Sequence, residues 1–307
     1  MQKTEIVKNQ HYVPLAYLKF FSRKVKEEYY IAVMDKNKDK IFMSNIKNVA
    51  SGKYFYEVKY KPQNHWEKYY CKNIESKLPV IFNNIISVTT ISQNYSSILN
   101  ESLKEEMSRI ILSQISRTRK AKEFFDEIGN NIKTEIIDNV YKNFNKTLSE
   151  EQKLSLKKIK DDNDIIRDIE LDIINGDGLL SKGIYYLMDR IWVIYKNINY
   201  RECPFITSDH PVVYYNYMNS KTDFKSNGIA LNTTVIEYPI NRELLLVLYP
   251  KNMYFELLKD YNNRIIFINE NEFILRVNRL QYEQSYRQAY FTFFDSNILN
   301  GETYENK

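Results

Sequence analysis

The pattern of apolar and polar positions predicts short elements near the N-terminus. Residues 14–21 follow a helical pattern, with Pro14 suited to the first helical position. Two strands are predicted at residues 29–34 and 40–44, on either side of a polar turn. A third strand is predicted at residues 54–60. This part of the chain therefore forms a β-hairpin region.

Apolar residues recur at helical spacing through the middle of the chain. The pattern predicts a helix over residues 66–86, with Pro79 as a kink or boundary. The longest predicted helix runs over residues 101–125 and is ended by Gly129. Further helices are predicted within residues 131–190.

The last third of the chain is rich in strand-forming residues and carries one late helix. Its predicted strands are 192–195, 205–207, 212–215, 235–238, 244–249 and 290–294, and its helix is 270–289. Strands separated by a block of helices indicate an α+β fold. We expect a β-hairpin region (1–65), a central helical block (66–190) and a mainly antiparallel C-terminal sheet (191–307). No linker is evident, so these regions are predicted to form one composite domain over residues 1–307.

Composition restricts the class of protein. Hydrophobic residues make up 43% of the chain, and no run approaches the roughly 18 apolar residues of a membrane span. The polar N-terminus and the two isolated cysteines favour a cytoplasmic location over secretion. A net charge of +5 suits RNA or DNA as a partner. The general richness in Lys, Asn, Ile and Tyr is an alternative source of that charge.

His11 is the first candidate for chemistry. It lies three residues before Pro14, so its ring is expected near the positive end of the following helix. That field favours a neutral imidazole, which can accept a proton near pH 7. His11 is therefore a candidate general base or acid. The alternative is a histidine that holds the N-terminal segment by hydrogen bonds.

Polar residues interrupt an apolar row on the predicted helix 101–125. Ile110, Gln114, Arg117 and Ala121 share one helical stripe. A glutamine and an arginine thus occupy positions that a plain core would give to apolar side chains.

A half-buried arginine needs a negative partner. For Arg117 the candidates are Glu75 or Asp209, in a structural ion pair, or the phosphate of a substrate held in bidentate fashion. Gln114 and Arg119 are predicted to bind substrate, and Glu75 to support the site.

The densest polar cluster follows an apolar strand in the segment P-F-I-T-S-D-H-P. Functional groups commonly lie where a strand ends in a tight polar turn. Asp209 is predicted to orient a histidine or to bind a metal, with a simple turn cap as the alternative. Thr207, Ser208 and His210 are predicted to contact substrate. Phosphate-binding loops, zinc motifs and the serine-hydrolase elbow are absent from the sequence, and no metal ligands are assigned.

Three motifs in this order resemble the family known as domain of unknown function 4238. The first, H-x-V-P-x-x-Y-L-[RK]-x-F, matches from His11 to Phe21. The second, Q-x-x-R-T-x-x-R, matches at Gln114, Arg117 and Thr118, with Arg119 and Lys120 in place of its last arginine. The third, W…F-[IV]-T-S-D-x-P, matches at Trp192, Phe205, Thr207, Ser208, Asp209 and Pro211, and Pro239, Asn241 and Asn278 extend the likeness. The resemblance implies one domain, mostly bacterial, that brings distant His, Arg and Asp residues together.

These residues favour an enzyme that acts on a phosphodiester, and most specifically a nuclease of a bacterial defence or toxin system. His11 would be the acid or base, Arg117 would bind phosphate and Asp209 would orient the histidine. One alternative is transfer of ADP-ribose from NAD. Another is a non-enzymatic module that binds a partner protein of a defence system, with the three residues forming a buried polar network.

Overall fold

The computed structural model describes residues 6–162, 164–218 and 227–292. Within them, α-helices dominate the middle of the chain. They are α1 Leu15–Leu18, α2 His65–Tyr70, α3 Leu78–Ile91, α4 Glu101–Ser116, α5 Arg119–Phe144, α6 Glu150–Asp161, α7 Asp164–Asn175, α8 Asp177–Met188 and α9 Asn271–Gln284. Short 3₁₀ segments cover Lys19–Phe21, Ile46–Asn48 and Met253–Tyr261, and a π-helical turn covers Cys71–Glu75. None of the described helices is long and apolar enough to cross a membrane.

Strands occupy the two ends of the described chain. They are β1 Asn9–His11, β2 Arg23–Val25, β3 Glu28–Asp35, β4 Lys40–Asn45, β5 Ser51–Lys53, β6 Arg190–Asn197, β7 Thr207–Ser208, β8 Val213–Asn216, β9 Thr234–Pro239, β10 Leu244–Pro250, β11 Arg264–Ile268 and β12 Gln288–Phe291. The predicted α+β class, with its helical middle and mainly antiparallel sheets, is confirmed.

One sheet combines strands from both ends of the chain. Its order is β2-β3-β12-β7, with β4 paired along the other edge of β3. The late strand β12 thus lies between β3 of the hairpin region and β7. The prediction of a single composite domain stays a prediction, although this shared sheet is what such a domain would require.

The second large sheet has the order β11-β6-β10-β9-β8 and is antiparallel except for the β11–β6 pair. Every residue of β9 and β10 is buried. Both faces of these central strands are therefore covered, and β10 is a nearly continuous apolar run, as is typical of a strand in that position. A separate two-stranded ladder joins β1 to β5 and carries His11 opposite Ser51.

The predicted third strand at residues 54–60 is wrong. The strand is β5, which ends at Lys53 because Tyr54 has a φ of 53°. That left-handed conformation does not continue a strand. The residues after it form turns instead.

The helix predicted over residues 101–125 is in fact two helices. The first ends at Ser116, and Thr118 has an extended backbone whose side chain accepts the N–H of Ala121 to begin α5. Threonine is a favoured residue at this capping position. The expected stop at Gly129 is also wrong, because α5 continues to Phe144.

The late helix ends earlier than predicted, the closing strand begins earlier, and β11 was missed. The late helix ends at Gln284 because the next backbone amides, from Tyr286 to Gln288, donate to Asp209 instead of continuing the helix. Of the closing strand predicted over 290–294, residues 293 and 294 lie outside the described residues. The boundary predicted at Pro79 is confirmed, since that residue is the second of α3.

Candidate functional site

Arg117 lies at the break between α4 and α5 and is 1% exposed. Its Nη2 donates to the backbone carbonyl of His11 at 2.7 Å and to Glu75 Oε1 at 2.6 Å, and its Nε donates to the Tyr56 hydroxyl at 3.0 Å. The guanidinium also stacks over the ring of Tyr70 at 4.4 Å. Burial alone would lower the pKa of Arg117, but Tyr56, Glu75 and Tyr70 outweigh burial and raise it. Arg117 is therefore a permanent buried cation.

Glu75 is the carboxylate that pairs with Arg117, and a π-helical turn places it there. Its side chain is 26% exposed, so the ion pair joins the interior to the surface. A π-turn adds one residue to the helical path. Glu67 and Glu75, eight residues apart, therefore face the same side as residues seven apart would in a regular α-helix. The extra residue thus places Glu75 in contact with Arg117 and Glu67 within electrostatic range of both.

Glu67 is a functional candidate that the sequence analysis missed. It lies on α2, half-buried, and burial together with the charge of Glu75 raises its pKa to about 7, despite the opposing effect of Arg117. Glu57 adds a further increase. A carboxyl group with this pKa can donate a proton near neutral pH. The available sequence signal was the spacing of Glu67 and Glu75, but the π-turn that aligns them has no evident signature in the sequence.

His11 lies on β1 and is half-buried beside this ion pair. Burial lowers the pKa of His11, and the opposing effects of Glu75 and of backbone hydrogen bonds at Lys47 and Ile46 do not cancel it. The expected neutral imidazole thus has burial as its main cause. Nε2 of the ring is buried and has no hydrogen-bond partner among the described residues. It is the nitrogen available to accept a proton.

We call His11, Glu67, Glu75 and Arg117 the charged centre. Three of its atoms, His11 Nε2, Glu67 Oε2 and Arg117 Nη1, are buried without a hydrogen-bond partner in the part of the chain that the structure describes. Few buried polar atoms in native proteins lack a partner, and each one costs about 1–3 kcal/mol. Three around one ion pair indicate a place for a polar ligand or for water.

The side chains of Gln114 and Arg119, which flank Arg117 in the sequence, contact different parts of the protein. Gln114 is buried and its Nε2 donates to the backbone carbonyl of Tyr12 at 3.1 Å, which holds the segment after β1. Arg119 is half-buried on the first turn of α5, with its guanidinium 5.7 Å from the ring centre of Tyr286. Gln114 therefore fixes the backbone next to His11, and Arg119 lies on a separate surface beside Tyr286.

Asp209 is fully buried and holds the turn that enters β12. Its carboxylate accepts the backbone N–H groups of Tyr286, Arg287 and Gln288 at 2.7, 2.8 and 2.9 Å. Burial raises the pKa of Asp209 to about 6, against the lowering effect of these three amides and of Lys36. Its hydrogen bonds in the described part of the chain do not include His11, although it lies within electrostatic range of Tyr12.

The other residues of the T-S-D-H segment are also fully buried. Thr207 shares a 2.7 Å hydrogen bond with the Tyr17 hydroxyl, and Ser208 donates to Gln281 at 2.9 Å. His210 Nδ1 contacts the Thr118 hydroxyl at 2.8 Å, and burial lowers the pKa of His210 to about 3. This segment therefore ties α5 to the sheet.

The structure thus brings His11, Glu75, Gln114 and Arg117 together, and it directs Asp209 towards the 286–288 turn. The predicted roles of these residues stay predictions. Among the described residues, no three His, Cys, Asp or Glu side chains are grouped so that they could hold a metal ion.

The fold and site define an α+β protein with a buried arginine–glutamate pair at a helix break. Residues 9–292 match a family model described as a protein of unknown function, DUF4238. The match covers most of the chain, so the chain belongs to this family, as its three motifs indicated. No curated protein and no solved structure matches.

Proposed function

We propose that the protein cleaves RNA by general acid–base catalysis at the charged centre. The observation that carries the proposal is the set of three buried, unpartnered atoms, which supply a base (His11), an acid (Glu67) and a cation (Arg117) around one ion pair. The net charge of +5 favours a polyanionic substrate. The setting predicted from the sequence, a bacterial defence or toxin system in the cytoplasm, is kept as part of the proposal.

RNA suits an acid–base pair because it carries its own nucleophile. His11 Nε2 removes the proton of a ribose 2′-hydroxyl, and the resulting oxygen attacks the adjacent phosphorus. The bond from phosphorus to the 5′-oxygen breaks, and Glu67 gives its proton to that leaving oxygen. Arg117 stabilises the charge that develops on the phosphoryl oxygens. The products are a 2′,3′-cyclic phosphate and a 5′-hydroxyl.

Substrate reaches this centre from the surface side. His11, Glu67 and Glu75 are each half-buried, whereas the reactive atoms of His11 and Glu67 face inward. For a phosphate to meet Arg117, which is 1% exposed, these two side chains would have to rotate about their own bonds. Arg117 is held in place by the main chain and by Glu75, so it is ready before substrate arrives.

The test uses substitutions that keep the ion pair. His11→Ala removes the ring but retains the backbone carbonyl that binds Arg117, and Glu67→Gln retains the shape of the neutral carboxyl group. Each should reduce cleavage of an end-labelled RNA by about 10²-fold or more. The matched control is His65→Ala, an exposed histidine on the same helix as Glu67, which should cleave at the wild-type rate.

The pH profile of cleavage gives a second readout that a structural role would not change. Activity should rise as pH passes the lowered pKa of His11, because the base must be neutral. It should fall above about 7, because Glu67 must be protonated. In Glu67→Gln, the residual activity should lose the fall at high pH. Undiminished cleavage by His11→Ala, with its fold intact, contradicts the proposal.

The non-enzymatic alternative also has one observation in its favour, since every hydrogen bond described for Arg117 is internal. Under that alternative, the His11 and Glu67 variants would melt earlier, and the wild-type protein would leave RNA intact. No contact in the described structure favours transfer of ADP-ribose from NAD over RNA cleavage.

A further inference from the structure

A cleft of about 520 Å³ lies beside the charged centre. Arg119, whose side chain points away from the charged centre, lines this cleft. Its walls are the turn after β5, the first turns of α5 and the start of α7. We call it the Arg119 cleft. Lys53, Arg119, Lys122 and Arg167 bring four positive charges to its lining.

Arg167 is the unusual member of this lining. It is only 5% exposed, and its Nη1 donates to Glu170 at 2.7 Å. Its Nε and Nη2 have no hydrogen-bond partner among the described residues. These two donors form one edge of the guanidinium, which is the geometry that binds two oxygens of a phosphate.

Two further cations of the cleft are free to meet an anion. Arg119 and Lys53 form no ion pair in the part of the chain that the structure describes, and Lys53 is exposed. Arg119 lies half-buried against Tyr286, so part of its rotamer entropy is already lost before a ligand binds.

Three of the four carboxylates that line the cleft accept hydrogen bonds from other protein groups. Asp126 pairs with Lys122, and Glu123 accepts the hydroxyl of Tyr286 at 2.6 Å. Glu57 accepts hydrogen bonds from Nε2 of Gln10 at 2.9 Å and from the backbone N–H of Asn64 at 3.1 Å. Asp164 is the remaining lining carboxylate. The lining thus has four cations and four carboxylates, and the case for an anion rests on the two unused donors of Arg167 and on Arg119 and Lys53, which form no ion pair among the described residues.

Tyr54 gives the cleft an aromatic surface. It is 44% exposed, although tyrosine is a large hydrophobic residue, and its φ of 53° is strained for a side chain of this size. An exposed ring beside unpaired cations is the combination that single-stranded nucleic acids use, because bases stack on the ring and phosphates meet the cations.

An aromatic wall separates the cleft from the charged centre. Phe55 and Tyr56 have ring centres 5.0 Å apart, and Tyr56 and Tyr70 are 4.9 Å apart. Arg167 lies over Phe55 at 5.4 Å on the cleft side, and Arg117 lies over Tyr70 on the other. A strand bound in the cleft would therefore reach the proposed catalytic residues only by passing around this buried wall.

We propose that the Arg119 cleft binds a single-stranded segment of the RNA substrate, with a phosphate between Arg119 and Arg167 and a base stacked on Tyr54. This inference rests on the proposed function for the identity of the ligand. It assigns the cleft to binding alone and leaves the cleavage step to His11 and Glu67.

The test measures binding without cleavage. Fluorescence anisotropy follows the full-length protein with a fluorescein-labelled RNA of mixed sequence whose 2′-hydroxyls are methylated, so that it carries no nucleophile. Arg119→Gln should weaken binding about tenfold and reduce the dependence of log K on log salt by about 0.7. Tyr54→Asn, which suits the left-handed backbone, should weaken it by about fivefold or more. The charge-matched control, Arg23→Gln on the exposed strand β2, should bind within about twofold of the wild type.

Each outcome separates this inference from the proposed function. If Arg119→Gln and Tyr54→Asn bind RNA as tightly as the wild type, RNA does not bind at the Arg119 cleft. An equal loss of affinity in Arg23→Gln also contradicts binding at the cleft, because it would indicate diffuse electrostatic attraction. No binding by the wild type also overturns it. If the two cleft variants bind weakly but the wild type leaves unmodified RNA intact, the cleft stands and the cleavage proposal fails. If RNA is cleaved while the variants bind normally, only the cleft fails.

Discussion

Arg117 shows how one buried charge organises the residues around it. Its guanidinium meets a backbone carbonyl, a hydroxyl, a carboxylate and an aromatic ring. Removing one partner of a buried ion pair costs about 3–5 kcal/mol, because the other charge is left without compensation. Arg117 is therefore a poor position for testing catalysis. His11 and Glu67 are better ones, since their side chains can change while the ion pair remains.

At the residue scale, Glu67 provides a prediction that does not depend on catalysis. Its pKa is about 7 in the folded protein, above its ordinary value, so the folded state holds the proton more tightly than the unfolded chain. This stability is fully present below the ordinary pKa of Glu and is lost as pH rises to about 7. Glu67→Gln is neutral at every pH. Its free energy of unfolding, relative to that of the wild type, should therefore increase by about 1–3 kcal/mol as pH rises from 4.5 to 8.

Urea unfolding of the two proteins across this pH range measures the difference. Asp209 has a raised pKa as well, but it is present in both proteins and cancels in the comparison. Glu27→Gln is the control, because that side chain is 91% exposed and should leave the pH dependence unchanged. A constant difference between Glu67→Gln and the wild type at all pH values would show that Glu67 is ionised at neutral pH.

The sequence allowed some of these residues to be predicted, for a physical reason. Gln114 and Arg117 stood out as polar side chains in an apolar row, and burial of both is observed. Glu75 was among the candidates because a buried arginine requires a carboxylate. Glu67 was not, since its raised pKa comes from burial and from neighbours that only the π-turn brings together.

At the scale of elements, the break between α4 and α5 places the site. A continuous helix would have kept Arg117 in the middle of a stripe, with its backbone N–H and carbonyl in the helical ladder. The extended backbone of Thr118 instead starts a new helix whose first turn carries Arg119 towards the cleft. Threonine followed by R-K-A is a capping signal in the sequence. The strong apolar periodicity on both sides concealed it.

Gly129 gives a prediction for the packing of α5 against α7. A Cβ at this position would lie well inside contact distance of the Ile166 side chain, and a β-branched residue on a helix cannot easily rotate away. Gly129→Ala should therefore lower the free energy of unfolding by about 1–3 kcal/mol, even though alanine favours helix. Gly178→Ala is the matched control in α8, where a Cβ meets nothing within 4 Å. It should be neutral or stabilise by up to about 1 kcal/mol in the same urea experiment. Equal stabilisation by both substitutions would mean that α5 and α7 are not in contact at Gly129.

At the scale of the whole molecule, the sheet that contains β12 joins the two ends of the chain. Asp209 holds the turn before β12, and β12 then pairs with β3 on one side and β7 on the other. Alternating apolar residues predicted that these strands exist. Their partners were not predictable from local pattern, since pairs more than 250 residues apart depend on tertiary packing.

The two tryptophans allow the predicted single domain to be tested. Trp66 lies on α2 and Trp192 on β6, both buried in one continuous apolar core. In Trp66→Phe the fluorescence reports on the C-terminal sheet, and in Trp192→Phe it reports on the helical region. Because β12 depends on strands from both ends of the chain, we expect one cooperative transition. Within each variant, the urea midpoint from fluorescence should coincide with the midpoint from far-UV circular dichroism. Comparison within a variant removes the stability cost of the substitution itself, including the lost hydrogen bond from Trp192 to Leu187. If fluorescence of either variant changes well before the circular dichroism signal, the two regions unfold separately, and the charged centre then depends on the helical block and β1 alone.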